Sequence, residues 1–290
     1  MTTSPIVAAT DGSAESIQAV EWAAREAALH HVRLRIVSAA ELLPRMTPPP
    51  RAADFEVVSD AVRHTRDHAL AAAAKAAAAI APDVEIDTEP LEGPPAEAVT
   101  NSGDSALMLV LGSRGASAFT AMVLGSVSRY AAIHASSPVV VVREETMAAH
   151  RQVIVGIRDP QDCAAALAFA FSEAQLRNAA LVAVHAWQSS RSVSSDMPPA
   201  PGPAAVERQM TAALDQLLNQ WQGKYPGVVA SHDVVHGHPG RVLAGLSARA
   251  DLVVLGRHER HRQGLPGPAR IAHAVLGHAH GPVATVPSAT

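Results

Sequence analysis

Short aliphatic runs alternate along the chain with longer stretches in which apolar residues recur at helical spacing. The first two runs are Ile6–Ala9 and Leu34–Ala39, and between them Ala19, Ala23 and Ala27 fall on one helical face. Runs of this length indicate buried strands, and the spacing between them indicates an amphipathic helix. Four such helices between five strands give the order β-α-β-α-β-α-β-α-β, which predicts a parallel, doubly wound sheet with right-handed crossovers.

The remaining elements of the first half follow the same alternation. The pattern predicts, in chain order, a helix over about Glu56–Ala81, a strand over Val84–Pro90, a helix over Pro94–Ser102, a strand over Leu107–Leu111, a helix after Gly125-Ser126 through Ala135, and a strand over Pro138–Arg143. Pro44–Ala53 contains three consecutive prolines and predicts a loop, because proline cannot continue a helix.

The second half of the chain repeats the pattern of the first. The matching landmarks are Val153–Ile157 with Ile6–Thr10, Leu181–His185 with Leu34–Ser38, Gly237-His238-Pro239 with Gly93-Pro94-Pro95, Leu252–Gly256 with Met108–Gly112, and Pro282-Val283 with Pro138-Val139. Ser189–Ala205 predicts a second Pro-rich loop. This internal duplication predicts two tandem α/β domains, residues 1–146 and 151–290, joined by a linker of residues 147–150, each with a five-stranded parallel sheet.

Composition limits the functions that such a chain could have. The 290 residues are 48% hydrophobic and 17% charged, and the formal net charge of −4 argues against a nucleic-acid surface. Cys163 is the single cysteine, which fits a reducing compartment, and no leader pattern precedes the first strand, so a cytoplasmic location is expected. No membrane span is predicted, because the Ala-rich run Ala69–Ala81 contains Lys75 and ends at Pro82.

The strongest candidate for chemistry is Leu107–Ser128, where a strand leads to Gly112 and Gly115 and, nine residues later, to Gly125-Ser126 at a helix start. Glycines let backbone N–H groups approach an anion, and a helix N-terminus adds unpaired N–H groups and a positive dipole end. The spacing predicts a polyphosphate cradle at the carboxyl end of a parallel strand. The alternative is an ordinary strand–loop–helix connection with turn glycines.

This pattern of G-x-x-G, a nine-residue spacer and G-S resembles the ATP-binding signature of the universal stress protein family. Three further segments agree with that family: Asp11-Gly12-Ser13 after the first strand, the turn Glu92–Ala96, and the valines after Pro138. The resemblance implies a Rossmann-like fold of the adenine nucleotide alpha hydrolase type, with ATP and Mg²⁺ as cofactors of the first domain.

The resemblance and the positions of the residues together indicate ten cofactor-binding candidates. They are Thr10, Asp11, Ala39, Leu111, Gly112, Arg114, Gly115, Gly125, Ser126 and Val127. Asp11 is expected to contact the base or ribose, to cap the following helix, or both; Arg114 reaches phosphates or points to water. No catalytic residue and no metal ligand is predicted, since none of the histidines between His258 and His280 has a metal-binding spacing together with a further ligand.

The second copy keeps the first glycine of the signature as Gly256 but departs from it at the other key positions. Arg158 stands in the place of Asp11, Glu259 in that of Gly115, and Ala269-Arg270 in that of Gly125-Ser126. A carboxylate at a phosphate turn repels the ligand. The second domain is therefore expected to keep the fold and to bind ATP poorly or not at all, although the arginines of this loop, Arg257, Arg260, Arg262 and Arg270, leave another anion as an alternative.

Three functions are compatible with these features. The first is an ATP-binding regulatory protein of the stress response whose nucleotide state is read by an unidentified protein partner. The second is a slow ATPase or a nucleotidyl or phosphoryl transferase on the same cradle, and the third is a structural dimerisation module with an empty cradle. The resemblance also implies that Val139–Val142 pairs with Val283–Val286 within the chain, and a homodimer of the whole chain is expected.

Overall fold

The computed structural model divides the chain into two compact units, Met1–Glu145 and Thr146–Thr290. It describes residues 4–40, 52–115, 124–143, 149–188, 202–257 and 268–288. Each unit carries five parallel strands with helices between them, which confirms the predicted fold class. Residues 147 and 148 of the expected linker lie outside the described ranges.

Unit 1 follows the predicted order of strands and helices. Its elements are β1 (Ile6–Ala9), α1 (Ala14–His30), β2 (Leu34–Ala40), α2 (Ala52–Ile80), β3 (Ile86–Glu92), α3 (Pro95–Ser102), β4 (Met108–Gly112), α4 (Ser126–His134) and β5 (Val139–Val142). The strand order is β3-β2-β1-β4-β5, so β1 lies between β2 and β4, with Ile6 opposite both Leu34 and Met108. The winding direction therefore reverses between β1 and β4, and open α/β sheets bind ligands at such a reversal.

Unit 2 repeats this arrangement. Its elements are β6 (Gln152–Gly156), α5 (Ala164–Leu176), β7 (Ala180–Trp187), α6 (Pro203–Gln222), β8 (Ala230–His236), α7 (Pro239–Leu246), a 3₁₀ turn (Ser247–Arg249), β9 (Leu252–Arg257), α8 (Pro268–His278) and β10 (Val283–Pro287). Its strand order is β10-β9-β6-β7-β8, with β6 between β7 and β9. The internal duplication read from the sequence is thus a duplication of structure.

The core of each unit is mostly aliphatic. Ala19, Ala23 and Ala27 of α1 are fully buried, as their spacing predicted, and their small side chains let the helix lie close to the sheet. Aromatic packing is concentrated in unit 2, where Phe171 of α5 stacks on Trp221 at the end of α6 and on Tyr225 just beyond it, with ring centroids 5.8 and 5.2 Å away. None of the helices in the described ranges combines the length and apolarity needed to cross a bilayer.

Several element boundaries differ from the sequence prediction. Helix α2 begins at Ala52, inside the segment expected to be a loop, and α6 begins at Pro203 rather than after Ala205. Proline fits the first turn of a helix, since its missing N–H would have no partner there, so Pro203 starts a helix instead of preventing one. Strand β3 begins at Ile86 and not at Val84. Residues 44–51 and 189–201 of the two predicted loops lie outside the described residues.

Arg66 joins α2 to the end of β3. The side chain is 8% exposed, and its Nη1 donates to Glu92 Oε1 at 2.7 Å and to the Leu91 carbonyl at 3.5 Å, while Nε donates to Asp67 Oδ1 at 3.3 Å. The acceptors on β3 immediately precede the turn that starts α3. Arg66 thereby fixes where α3 begins, and α3 forms one wall of the cleft described below.

We expect Arg66→Met to lower the free energy of unfolding of unit 1 by about 1–3 kcal/mol, because it removes a buried, charge-assisted hydrogen-bond donor. The matched control is Arg63→Met on the same helix, since Arg63 pairs with Asp60 at 3.3 Å while both side chains are well exposed. That control should change stability by no more than about 0.5 kcal/mol. Urea unfolding, together with hydrogen–deuterium exchange of peptides from residues 52–92, measures the stability of the two variants. An equal loss of stability in both would contradict the role given to Arg66.

Candidate functional site

A cleft of about 540 Å³ opens in unit 1 at the carboxyl ends of β1 and β4. Its volume lies within the range of about 300–1,000 Å³ that is usual for small-molecule sites. The residues that line it are Ala9, Thr10, Asp11, Ser16, Ala39, Pro95, Val99, Leu111, Gly112, Arg114, Gly115, Leu124, Gly125, Ser126, Val127 and Ser128. All ten residues singled out in the sequence are among them, so the fold brings the whole candidate set to one place.

The side-chain hydroxyl groups of Thr10 and Ser16 form part of the cleft wall at the end of β1. Ser16 Oγ donates to the Ser13 carbonyl at 2.9 Å, so the Thr10 hydroxyl is the donor in the 3.0 Å bond between Thr10 and Ser16. Thr10 Oγ1 also accepts from the Gly12 backbone N–H at 3.1 Å. These bonds fix the turn that carries Asp11 before any ligand arrives.

Asp11 supports the cap of α1. Its Oδ1 accepts from the Ser13 backbone N–H at 3.0 Å and from Ser13 Oγ at 2.6 Å, and Ser13 Oγ in turn caps the helix by accepting from the Ser16 N–H at 3.3 Å. The direct cap is therefore Ser13, and Asp11 orients it. The turn needs glycine at position 12, where φ is +82° and a Cβ would lie 3.2 Å from the side chain of Ala69 on α2.

The glycines of the signature differ in how much space the surrounding atoms leave for a side chain. A Cβ on Gly112 would lie 2.9 Å from the Glu15 carbonyl oxygen and 3.1 Å from the Ser16 nitrogen, both of them backbone atoms that cannot move aside. A Cβ on Gly115 would lie 2.6 Å from Asp11 Oδ2. Around Gly125 the nearest atom would be 3.6 Å away, an ordinary contact. Packing therefore explains Gly112, whereas the described residues leave room for a side chain at Gly125.

The N-terminus of α4 faces this cleft through Gly125, Ser126 and Val127. Gly125 at the N-cap offers no side-chain hydrogen bond, and the first turn of the helix contains no acidic residue. Ser128 Oγ donates to the Gly112 carbonyl at 2.6 Å and ties the helix to the end of β4. The Gly125 N–H donates to the Ser113 carbonyl at 2.9 Å, but no side chain of the described residues caps the helix. The positive end of the helix dipole is thus held at the cleft, which is an arrangement suited to an anion.

The charged side chains around the cleft include those of Arg114, Glu15 and Asp11, and the first two form an ion pair. Arg114 lines the cleft and pairs with Glu15 of α1, with 3.3 Å between Nη2 and Oε1. The sequence left open whether Arg114 reaches toward phosphates or toward water; in the structure its guanidinium is held by Glu15. Asp11 also lines the cleft and is exposed, and its Oδ2 would lie 2.6 Å from a Cβ on Gly115.

The corresponding position in unit 2 is a pocket of only about 60 Å³ among the described residues. It is lined by Gly156, Ile157, Arg158, Val184, Ala186, Pro239, Leu243, Leu255, Gly256, Ile271 and Ala272. Ile157 takes the place of Thr10, and Leu243 that of Val99. A Cβ on Gly156 would lie 2.9 Å from Leu243 Cδ1 and 3.0 Å from Leu255 Cδ2, so aliphatic side chains fill the space.

The polar wall beneath β1 also has no counterpart in unit 2. Cys163 takes the place of Ser16, and its Sγ contacts the Pro160 carbonyl at 3.3 Å. Burial raises the pKa of the Cys163 thiol to about 12, so the sulfur stays protonated and unreactive. His185 takes the place of Ser38; burial lowers its pKa, and its Nδ1 donates to the Ile157 carbonyl at 2.8 Å. Glu259 and the arginines Arg260 and Arg262 lie outside the described residues.

Six lining residues were not predicted from the sequence. They are Ala9, Ser16, Pro95, Val99, Leu124 and Ser128. Pro95 and Val99 stand four apart on α3, a spacing that places both on one helical face, so helical periodicity was the signal that could have found them. Ser128 has no such signal, because its role depends on the Gly112 carbonyl 16 residues earlier.

Two doubly wound α/β units, the first with a cleft where its winding reverses, define a tandem protein of the adenine nucleotide alpha hydrolase-like fold. The model of the universal stress protein family matches residues 2–143 and 149–287, and the chain belongs to that family.

The chain is similar to tandem relatives along nearly its whole length. It is 33% identical over 307 residues to universal stress protein Rv1996 of Mycobacterium tuberculosis, covering 96% of this chain and 93% of that protein. It is also 33% identical over 294 residues to universal stress protein Rv2005c of the same species, covering 96% and 95%. A crystal structure of a universal stress protein from Archaeoglobus fulgidus DSM 4304 shares the fold, with a TM-score of 0.66, 16% identity, and 98% and 96% coverage.

The contrast between two glycines predicts opposite effects of the same substitution. Gly112→Ala should destabilise unit 1 by about 1–3 kcal/mol, because its Cβ overlaps fixed backbone atoms. Gly125→Ala should leave stability unchanged or raise it by up to about 1 kcal/mol, since φ of −58° and ψ of 152° suit alanine. Urea unfolding of both variants tests this contrast, which fails if Gly125→Ala is the more damaging change.

Proposed function

We propose that unit 1 binds ATP with Mg²⁺ in this cleft, that unit 2 does not bind nucleotide, and that the protein acts in the stress response as a regulator whose nucleotide state is read by a protein partner. The observation that carries the proposal is the difference between two copies of one fold. The first copy holds an open cleft of about 540 Å³, whereas the described residues of the second leave a pocket of about 60 Å³ in which Ile157 and Leu243 take the places of Thr10 and Val99.

The cleft of unit 1 fits the two chemical parts of ATP. The N-terminus of α4 and the backbone around Gly115 supply N–H groups suited to phosphate oxygens. The space that the described residues leave beside Gly125 supports this assignment, because the lack of a side chain there allows an oxyanion to approach the backbone. Apolar side chains, those of Val99, Leu111 and Leu124 among them, offer the surface that an aromatic base requires.

The charges also fit a nucleotide bound together with a divalent cation. Mg²⁺ in nucleotide sites is held by one or two carboxylates and by the phosphates themselves. Asp11 is a cleft-lining carboxylate near Gly115 and is the residue that would face the cation. The metal would supply charge neutralisation of the phosphates, which a single arginine already paired with Glu15 supplies only in part.

Regulation is favoured over rapid catalysis by the content of the cleft wall. Phosphoryl transfer requires a positioned base together with strong neutralisation of charge in the transition state. Among the described lining residues, Asp11 is the one carboxylate and Arg114 the one cation, and Asp11 already accepts two hydrogen bonds from Ser13. Slow hydrolysis at this site is the second candidate. The pairing of the last strands of the two domains, implied by the family resemblance, stays a prediction.

Titration of ATP with Mg²⁺ into the protein should give about one site per chain, and Gly115→Glu should abolish it. The new carboxylate would stand beside Asp11 and repel the phosphates. The matched control is Gly245→Glu, which adds the same charge at an exposed glycine of α7 where a Cβ would meet nothing within 4 Å. Isothermal titration calorimetry measures the stoichiometry and affinity of all three proteins.

Each other result of this titration contradicts a different part of the proposal. Two sites per chain would show that unit 2 also binds nucleotide despite its filled pocket. If the Gly245→Glu control also lost ATP binding, an added negative charge would weaken binding wherever it is placed in the chain. If the wild-type protein binds no nucleotide at all, the nucleotide function is rejected and a structural dimerisation module remains.

Gly125→Ala separates ligand binding from stability. We expect ATP affinity to fall about tenfold or more, because a methyl group at the N-cap of α4 obstructs the approach of an oxyanion to the backbone. Stability should not fall, for the reason given above, so a weaker affinity would not reflect unfolding. Calorimetric titration at a temperature well below the unfolding transition makes the measurement, and an unchanged affinity would place the phosphates elsewhere.

A further inference from the structure

The ion pair between Arg114 and Glu15 connects the cleft to the first turn of α1. Arg114 is a lining residue of the cleft, whereas Glu15 is not. The Arg114 backbone lies beside the start of α4, since its Cα would be 3.6 Å from a Cβ built on Gly125. The side chain nevertheless reaches to α1, where Nη2 lies 3.3 Å from Glu15 Oε1. The guanidinium of Arg114, whose backbone lies next to the start of α4, is thus held by the carboxylate of Glu15 on α1.

This ion pair leaves the arginine incompletely satisfied. The Arg114 and Glu15 side chains are 25% and 29% exposed, and partly exposed pairs of this kind are weak. Arg114 Nε is buried and has no hydrogen-bond partner among the described residues. Phosphate oxygens accept from guanidinium groups with two parallel hydrogen bonds, which is a stronger arrangement than the contact with Glu15. A phosphate group within reach would therefore compete for the arginine.

The number of phosphates on the ligand decides whether that competition occurs. A single phosphate at the N-terminus of α4 is served by backbone N–H groups and by Ser126, without any need for an arginine. A second or third phosphate extends the negative charge beyond the helix start, and Arg114 is the cation among the described residues that line the cleft.

We propose that Arg114 and Glu15 form a selector for phosphate-chain length: Arg114 leaves Glu15 for the second or third phosphate, so that the site favours nucleoside di- and triphosphates over monophosphates. This inference rests on the proposed function, because it assigns the ligand class of the same cleft. Glu15 acts as a positioning residue, since it touches Arg114 and not the ligand, and it lowers the affinity for long phosphate chains by competing for the arginine.

The test is a double-mutant cycle with AMP, ADP and ATP as probes, each titrated calorimetrically at a fixed excess of Mg²⁺. Arg114→Gln should weaken ATP binding about 10–100-fold, as expected for the loss of charge-assisted hydrogen bonds, and leave AMP binding unchanged. Glu15→Gln should tighten ATP binding about 2–5-fold, as expected when a weak surface pair is released, and again leave AMP unchanged. In the Arg114→Gln background, Glu15→Gln should have no further effect on ATP.

The matched control for the change of charge is Glu97→Gln. Glu97 lies in the first turn of α3, another helix that lines the cleft, and has the same formal charge, but no ion pair with Arg114 is seen among the described residues. Its substitution should leave the affinity for all three nucleotides unchanged. If Glu97→Gln raised the affinity for ATP as much as Glu15→Gln does, any carboxylate near the cleft would act by general repulsion of the phosphates.

The outcomes separate the selector from the nucleotide function itself. If the wild-type protein binds none of the three nucleotides, the proposed function fails and the selector fails with it. If the wild type binds nucleotide but Arg114→Gln weakens AMP and ATP equally, only the selector is overturned. The selector is likewise overturned if Glu15→Gln still tightens ATP binding when Arg114 is absent, because Glu15 would then act on the ligand directly.

Discussion

The close approach of Gly112 to the first turn of α1 is the contact on which the rest of the first cleft depends. With no side chain at this position, the end of β4 lies directly against the backbone of Glu15 and Ser16. The carbonyl of the same glycine accepts the hydrogen bond of Ser128, which ties α4 to the sheet. One residue thus sets the distance between a strand and two helices. The walls of the cleft are in place before a ligand binds, and a preorganised site loses less affinity to ordering.

The two units show how one fold can carry different side chains at equivalent strand ends. The strand order and the register about the central strand are the same in both units, and so is the buried aliphatic core. Among the described residues at this position, Ile157 and Cys163 replace the hydroxyl pair Thr10 and Ser16. An isoleucine and a protonated thiol pack without needing hydrogen-bond partners, so the substitution costs the fold little and takes the polar wall away. Function in such proteins belongs to the site and not to the fold.

The sequence was sufficient for the fold class because each element carries a local signal, an aliphatic run for a strand or a periodic stretch for a helix. The ten residues that the family resemblance and their positions indicated all line one cleft, since they lie at or just after strand ends or begin a helix, and parallel strands bring their carboxyl ends to one edge. Boundaries such as Pro203 were wrong because proline permits both a loop and a first helical turn. The role of Ser128 and the pairing of Arg114 with Glu15 were out of reach, because they depend on distances between elements that are set only when β4 packs on α1.

The asymmetry between the units determines where a response to nucleotide can begin. A ligand shifts a conformational equilibrium only by the difference in its affinity for the two states. In unit 2 the aliphatic side chains of Leu243 and Leu255 pack against the end of β6, and the described residues leave a pocket of only about 60 Å³ there. In unit 1 the cleft is open, and its one lining arginine among the described residues is held by a weak, partly exposed pair that a phosphate can replace. Under the proposed function, a signal that follows nucleotide binding would start at the end of β4 and the first turn of α1, the two segments that Gly112 brings together.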